Sequence, residues 1–224
     1  MLLPLAVLFA FGLTNLLHAQ ASAVNTTLLT SPVEVGLYYE TLCPHCRGFV
    51  IEHLLPAYLK APERIKLKLV PYGNAETFET PEGYNFSCQH GPRECEGNKI
   101  HSCAIDVVED QTSLVKLVEC TIRNETFPEA IGEQCAGDLG INWQPILECS
   151  RGSRGSLLLK RNGDVTEELT PPLHGVPTVT LNGSRGNKTA IRADLWGEIC
   201  KLLSDPIPPN CPEADDSIVV NNPE

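Results

Sequence analysis

Between residues 33 and 70 the apolar positions switch from a period of two to a helical period and back. Val33-Glu34-Val35-Gly36-Leu37-Tyr38-Tyr39 alternates and is rich in β-formers, which predicts a strand. Phe49, Val50, Leu54, Leu55, Tyr58 and Leu59 recur at helical spacing, with Pro56 expected to kink or shorten that helix. Ile65 to Val70 alternates again. Strand, helix and strand with such short links predict a βαβ unit and hence parallel pairing. From Gly73 to about Glu148 the character changes. Ile105, Val108, Leu114, Leu117 and Val118 keep helical spacing among Cys88, Cys95, Cys103, Cys120, Cys135 and Cys149, so this stretch reads as a helical, disulfide-tied insertion. Residues 156–169 divide the signals: Leu157-Leu158-Leu159 suits strand or helix, while Asn162-Gly163 is a hairpin signal. Val176-Pro177-Thr178-Val179-Thr180-Leu181 predicts another strand, entered through a Val-Pro bond. Leu195, Ile199, Leu202 and Leu203 mark a closing helix. Pro212 to Glu224 holds four acids and no base and reads as an unpacked tail.

The chain begins differently. Met1 to Leu17 carries no charge, and the small-x-small strings Ala19-Gln20-Ala21 and Ala21-Ser22-Ala23 follow, which predicts a cleaved secretory signal peptide over residues 1–23. Five Asn-x-Ser/Thr sequons, at Asn25, Asn85, Asn124, Asn182 and Asn187, are candidate N-glycosylation sites in that lumen. Ten cysteines, an even number and high for a reducing cytosol, point to the same compartment. Hydrophobic residues at 42% supply a packed core and exclude wholesale disorder. A net charge of −11 opposes a nucleic-acid partner. After the leader no run approaches the roughly 18 apolar residues of a membrane span, so no membrane insertion is expected.

Composition locates the chain; Cys43-Pro44-His45-Cys46 supplies the chemistry. The predicted strand ends just before it and the predicted helix starts within it, so Cys43 should sit where unpaired backbone N–H groups and the helix dipole favour an anion. A thiolate is the attacking species in disulfide exchange, and such positions lower a cysteine pKa from ~8.5 to as little as ~3.5. Pro44 suits a first helical turn, and a protonated His45 is expected to add positive charge near the sulfur. Cys43 would attack a substrate disulfide, and Cys46 would displace the captured chain. That chemistry needs no metal and no organic cofactor, only an external thiol reductant. Two blander readings stand beside it: half of a zinc site completed by His90 or Cys88, or a purely structural bridge.

Strand, C-x-x-C, helix and a later Val-Pro strand together resemble the thioredoxin superfamily. The resemblance implies that Val176–Pro177 is a cis-proline loop, with the Val176 backbone presented to substrate; the residues alone also fit an ordinary trans proline starting an edge strand. A closer match lies in the insertion. Cys88-Gln89-His90-Gly91-Pro92-Arg93-Glu94-Cys95-Glu96-Gly97-Asn98, followed by Cys103, resembles the signature of the gamma-interferon-inducible lysosomal thiol reductases. Leu37 to Cys46 and the ending Cys200 … Asn210-Cys211-Pro212 also resemble that family.

The family implies an α/β, thioredoxin-like fold over residues 32–204: a central mixed sheet flanked by helices, with the helical, disulfide-rich insertion at about 73–169. Residues 205–224 form a C-terminal tail, trimmed as a propeptide. By this analogy residues 153–169 are helical, against the Asn162-Gly163 signal. The implied enzyme reduces disulfides of unfolded proteins at acid pH with a small-thiol electron donor. It travels the secretory pathway to the lysosome through the mannose-6-phosphate receptor, is also secreted, and aids protein degradation and antigen processing. The alternatives are a DsbA-like oxidase or isomerase of the secretory lumen and a non-enzymatic disulfide-bonded glycoprotein. Cys88, Cys95, Cys103, Cys120, Cys135, Cys149, Cys200 and Cys211 are the structural disulfide candidates, with Cys200–Cys211 preferred on proximity. Gln89, His90 and Glu94 either hold their loop or take part in catalysis, the first preferred. Glu40 is either an aid to proton transfer near the buried thiol or a solvent-facing glutamate, the second preferred. His53, His101 and His174 default to surface or structural roles.

Overall fold

The computed structural model describes residues 31–124 and 128–212 of the 224. The expected signal peptide, Asn25 and the tail from residue 213 lie outside the described residues. The chain opens with β1 (Val33–Tyr39), α1 (Pro44–Phe49), a π-helical turn (Val50–Leu54), α2 (Leu55–Lys60) and β2 (Ile65–Pro71). β1 and β2 pair in parallel, from Val33 opposite Ile65 to Tyr39 opposite Pro71, as the βαβ reading requires. Pro56 does not end the helix. The backbone widens just before it, with Leu55 N–H bonding Val50 C=O five residues back, and helical structure continues to Lys60.

A hairpin follows, β3 (Glu76–Thr80) and β4 (Gly83–Ser87). This corrects the helical reading of the insertion over residues 76–87. The insertion's helices are α3 (Pro92–Val107), α4 (Gln111–Ile122), α5 (Pro128–Leu139), α6 (Gln144–Arg151) and α7 (Ser153–Glu167). Asn162 and Gly163 lie inside α7, so the hairpin signal fails and the family-based expectation of helix holds. Gly163 is there for contact: a β-carbon on it would come within 2.8 Å of the Tyr72 ring. The chain closes with β5 (Thr178–Leu181), α8 (Lys188–Ala193) and α9 (Leu195–Cys200).

β5 pairs antiparallel with β1, giving the sheet order β2-β1-β5. β1 is therefore the central strand; Val35, Leu37 and Tyr39 on one face are fully buried and Gly36 and Tyr38 on the other are buried too, as in a strand covered on both faces. The insertion is not a separate body. α3 packs on β2, α6 and α7, and the main core runs without a break from β1 into Ile100, Cys103, Val115 and Ile146. Four disulfides tie the surroundings: Cys88–Cys95, Cys103–Cys149, Cys120–Cys135 and Cys200–Cys211. The last belongs to a tail that is held, not loose, up to Cys211. Arg64 donates to the carbonyls of Ser204 and Pro206 at 2.7 Å, and the Trp196 indole donates to Asn210 O at 2.9 Å. Among the described residues no helix is long and apolar enough to cross a membrane.

Candidate active site

Cys43 and Cys46 are both free thiols and both buried, so their reactivity has to come from local bonding and not from exposure. Cys43 is the N-cap of α1, in extended conformation, and its sulfur accepts the Cys46 backbone N–H at 3.4 Å. The Cys46 side chain, followed by the backbone N–H groups of Cys46 and His45, supports the Cys43 thiolate against the opposing effect of burial. The Cys43 pKa is lowered to about 6. Cys46 goes the other way: burial first, then the neighbouring Cys43, pushes its pKa far up. The arrangement can therefore offer one sulfur as a thiolate while the other stays protonated.

His45 enters this balance differently from the expectation. It is exposed and acts through its backbone N–H, whereas the imidazole whose charge reaches Cys43 is that of His90. Val176–Pro177 is cis, and Pro177 shares a groove of about 250 Å³ with Pro44 and His45. The loop and the C-x-x-C helix therefore face a common hollow. His53 lines the same groove, and His174 lines the hollow on the other side of Pro177.

Beneath the cysteines the polar residues of the signature converge. Glu40 is fully buried, which overturns the solvent-facing reading. Its Oε1 accepts Asn74 N–H at 2.7 Å and Asn74 Nδ2 at 2.9 Å, and Asn74 Nδ2 also reaches Gln89 Oε1 at 2.8 Å. Gly73 makes room for this carboxyl, since at φ +65 a β-carbon there would lie 2.2 Å from Glu40 Cγ. His90 Nδ1 lies 2.6 Å from Glu94 Oε2 and 3.4 Å from Glu40 Oε2. Thr41 N–H and Oγ1 both donate to Asn98 Oδ1 at 3.0 Å. Gln89, His90, Glu94 and Asn98 thus do hold a loop, but the loop clasps the strand end that carries Cys43. The Cys88–Cys95 bridge closes it, which leaves Cys88 no thiolate for the zinc alternative. The donor atoms of Glu40, His90 and Glu94 lie within 4.8 Å of one another, close enough for a cation. The His90 ring nitrogen occupies the place between the two carboxyls.

Desolvation, with Glu94 and Cys43 adding like charge, raises the Glu40 pKa to about 6. Glu40 is the functional candidate that sequence reasoning set aside. The only signal was its position three residues before Cys43. His101 is buried as well; its Nδ1 meets Tyr39 OH at 2.9 Å and its Nε2 meets Thr121 Oγ1 at 2.8 Å. Burial lowers its pKa to about 3, so it is a neutral structural residue. The sequon asparagines within the described residues, Asn85, Asn124, Asn182 and Asn187, are all exposed.

Residues 34–139 match the family model described as gamma interferon inducible lysosomal thiol reductase. The chain is 33% identical over 205 residues to GILT-like protein 1 of Drosophila melanogaster, across 84% of this chain and 82% of that protein. It is 32% identical over 185 residues to the gamma-interferon-inducible lysosomal thiol reductase of Carassius auratus, across 81% of this chain and 72% of that protein. Among solved structures it superposes on DsbA of Chlamydia trachomatis with a TM-score of 0.52 at 14% identity, covering 77% of this chain and 87% of that one. BdbD of Bacillus subtilis gives 0.52 at 16%, covering 76% and 87%. The structural likeness shows the thioredoxin-like fold.

Proposed function

The chain belongs to the gamma-interferon-inducible lysosomal thiol reductase family and is a thiol–disulfide oxidoreductase, and from that premise we propose that it reduces protein disulfides at acid pH through Cys43 and Cys46. The Cys43 thiolate attacks one sulfur of a substrate disulfide, forms a mixed disulfide and expels the other sulfur as a thiolate that takes up a proton. Cys46 then loses its proton and attacks Cys43 Sγ. The substrate leaves with both sulfurs reduced and the enzyme holds a Cys43–Cys46 disulfide. Two electrons from an external small thiol restore the dithiol, so neither metal nor organic cofactor is required. Val176 and Pro177 present backbone to the substrate chain across the groove.

One observation carries this reading: Cys43 caps α1 with its pKa lowered to about 6. At pH ~5 such a thiol is ~10% ionised, whereas an unperturbed thiol near 8.5 is under ~0.1% ionised. The value also speaks to direction. Thioredoxin's cysteine titrates near ~7 and that of the oxidant DsbA near ~3.5, so a thiolate at about 6 stabilises the reduced form far less than DsbA's does. That supports reduction over a secretory-lumen oxidase or isomerase, and a free, poised pair opposes a non-enzymatic glycoprotein.

The compartment follows from the same proposal. A cleaved leader, N-glycans at the exposed sequons and mannose-6-phosphate recognition bring the chain to the lysosome, with some of it secreted. There it opens unfolded substrates for degradation and antigen processing, and the end of its tail is trimmed. A pH-resolved assay of insulin disulfide reduction by wild-type and Cys43→Ser protein tests the proposal. Activity that persists near pH ~5 in the wild type and vanishes in the variant is expected. Retained activity in Cys43→Ser, or activity confined to neutral pH, overturns it.

A further inference from the structure

A second hollow adjoins the exchange site on the far side of Pro177. It encloses about 170 Å³, walled by Pro177, Val179 and Ile191, and its polar lining comes from His174, Arg185, Lys188 and Arg192. No carboxylate lines it, although the chain as a whole carries 28 acidic residues against 17 basic ones. Arg185 is the telling member. One of its nitrogens, Nη1, donates to Pro172 O at 3.2 Å, while Nε and Nη2 are buried and meet no acceptor. Buried guanidinium N–H groups without acceptors are costly, and their side-by-side geometry is the one a carboxylate satisfies with two parallel bonds. Arg192 reaches Pro177 O at 3.5 Å and borders both this hollow and the groove that holds Pro44 and His45.

We propose that this hollow is a carboxylate subsite, in which Arg185, Lys188 and Arg192 bind the anionic group of a thiol or disulfide partner engaged at Cys43. The assignment rests on the exchange reading given above and adds what the partner must carry. A chain lying across Pro177 with its sulfur on the Cys43 side brings a neighbouring residue over the hollow. The apolar walls accept the methylenes of a glutamate-like group while the cations take its carboxylate. Two sources supply that chemistry: an acidic side chain beside the substrate's disulfide, or the carboxylate of a small-thiol donor.

The test uses the full, glycosylated chain and two kinetic arms. In the first, matched disulfide peptides flanked by Glu or by Gln are reduced with dithiothreitol as the neutral donor. In the second, the Gln peptide is reduced with glutathione or with 2-mercaptoethanol. A preference for the carboxylate partner of about tenfold in kcat/KM is expected in at least one arm, and the arm identifies the source. Arg185→Gln should bring that ratio close to one, Arg185→Lys should restore part of it, and added salt should weaken it. Because the ratio compares two partners on the same protein sample, a partly unfolded variant does not imitate the result. A direct reading accompanies it: N-acetylglutamate amide should shift the side-chain Nε–H resonance of Arg185, and N-acetylglutamine amide should not. Ratios near one in both arms of the wild type, or no shift of that resonance, overturn the subsite. A wild type that reduces neither peptide refutes the reductase reading alone, since the resonance still reports the subsite.

Discussion

The ten cysteines divide into two chemistries within one fold, and exposure does not separate them. Cys43 and Cys46 are as buried as Cys103 and Cys135, yet the first pair is free and the others are bridged. What differs is the backbone around the sulfur. Cys43 sits at a helix start whose N–H groups have no other acceptor, so an anion is the stable form there. Cys103 lies within α3 and Cys149 within α6, where the backbone groups are spent on the helices and the sulfurs have only each other. In these two pairs reactivity goes with a helix terminus and stapling with helix faces, as it does for Cys120–Cys135, whereas Cys88–Cys95 and Cys200–Cys211 each join a helix end to a loop.

Removing Cys46, the resolving sulfur of the proposed exchange, breaks that contrast most severely. Cys46→Ser should end turnover and leave Cys43 joined to substrate, visible as a stable mixed disulfide on non-reducing gels. Turnover at the wild-type rate would mean that Cys46 is not the resolving thiol. A staple should behave otherwise. The Cys103–Cys149 bridge spans 46 residues, and a double Cys→Ala change should cost about 4 kcal/mol by loop-closure entropy. Denaturant unfolding measures that loss, and at low denaturant the folded fraction should still reduce disulfides. A variant that unfolds as the wild type does would place the bridge outside the cooperative unit.

The two regions also differed in how far the sequence disclosed them. The βαβ unit and the place of Cys43 were legible because they are local: a two-residue period, a C-x-x-C, then a helical period. The signature was legible as a string, but its destination was not. Glu40 is buried only because a loop 34 residues away closes over it, with Asn74 as partner. The β3–β4 hairpin left little trace because both its faces are largely exposed; Phe78 is 50% exposed, so alternation there is not enforced by a core. Asn162-Gly163 misled for the opposite reason. The glycine answers a long-range contact with Tyr72, and its turn-forming neighbour is spent on Ser102 Oγ at 2.9 Å.

A smaller effect sets the regions against each other as pH falls. His101 of α3 has its pKa lowered to about 3, so the unfolded chain takes up the proton first, below ~6.5. The stability it contributes is present above that value and is lost on acidification, by about 2 kcal/mol at pH ~5. Glu40 has the reverse sign. Its pKa is raised to about 6 against ~4.3 unfolded, so the native state binds the proton first and gains about 1 kcal/mol between pH ~7 and ~5. In the dithiol form Cys43, lowered to about 6 against ~8.5 unfolded, adds a further loss of about 1 kcal/mol over the same range. Unfolding at the two pH values should therefore show a net loss near 2 kcal/mol in the wild type, and His101→Gln should reduce it to about zero. An unchanged loss in that variant would assign the acid sensitivity elsewhere.

The finest test concerns Glu40 and the second chemical step. Its negative charge raises the Cys46 pKa, and below about pH 6 that charge is gone, so protonation of Glu40 offsets a small part of the loss of Cys46 thiolate on acidification. Glu40→Gln mimics the protonated carboxyl. It should leave resolution nearly unchanged at pH ~5 and speed it about threefold at pH ~7. Rapid-mixing measurements of substrate release across that range read the step directly. A variant slower at pH ~7 would instead make the Glu40 carboxylate the base that takes the Cys46 proton. An equal effect at both pH values would show that Glu40 acts by shaping the Gly73–Asn74 loop, with its charge of no account.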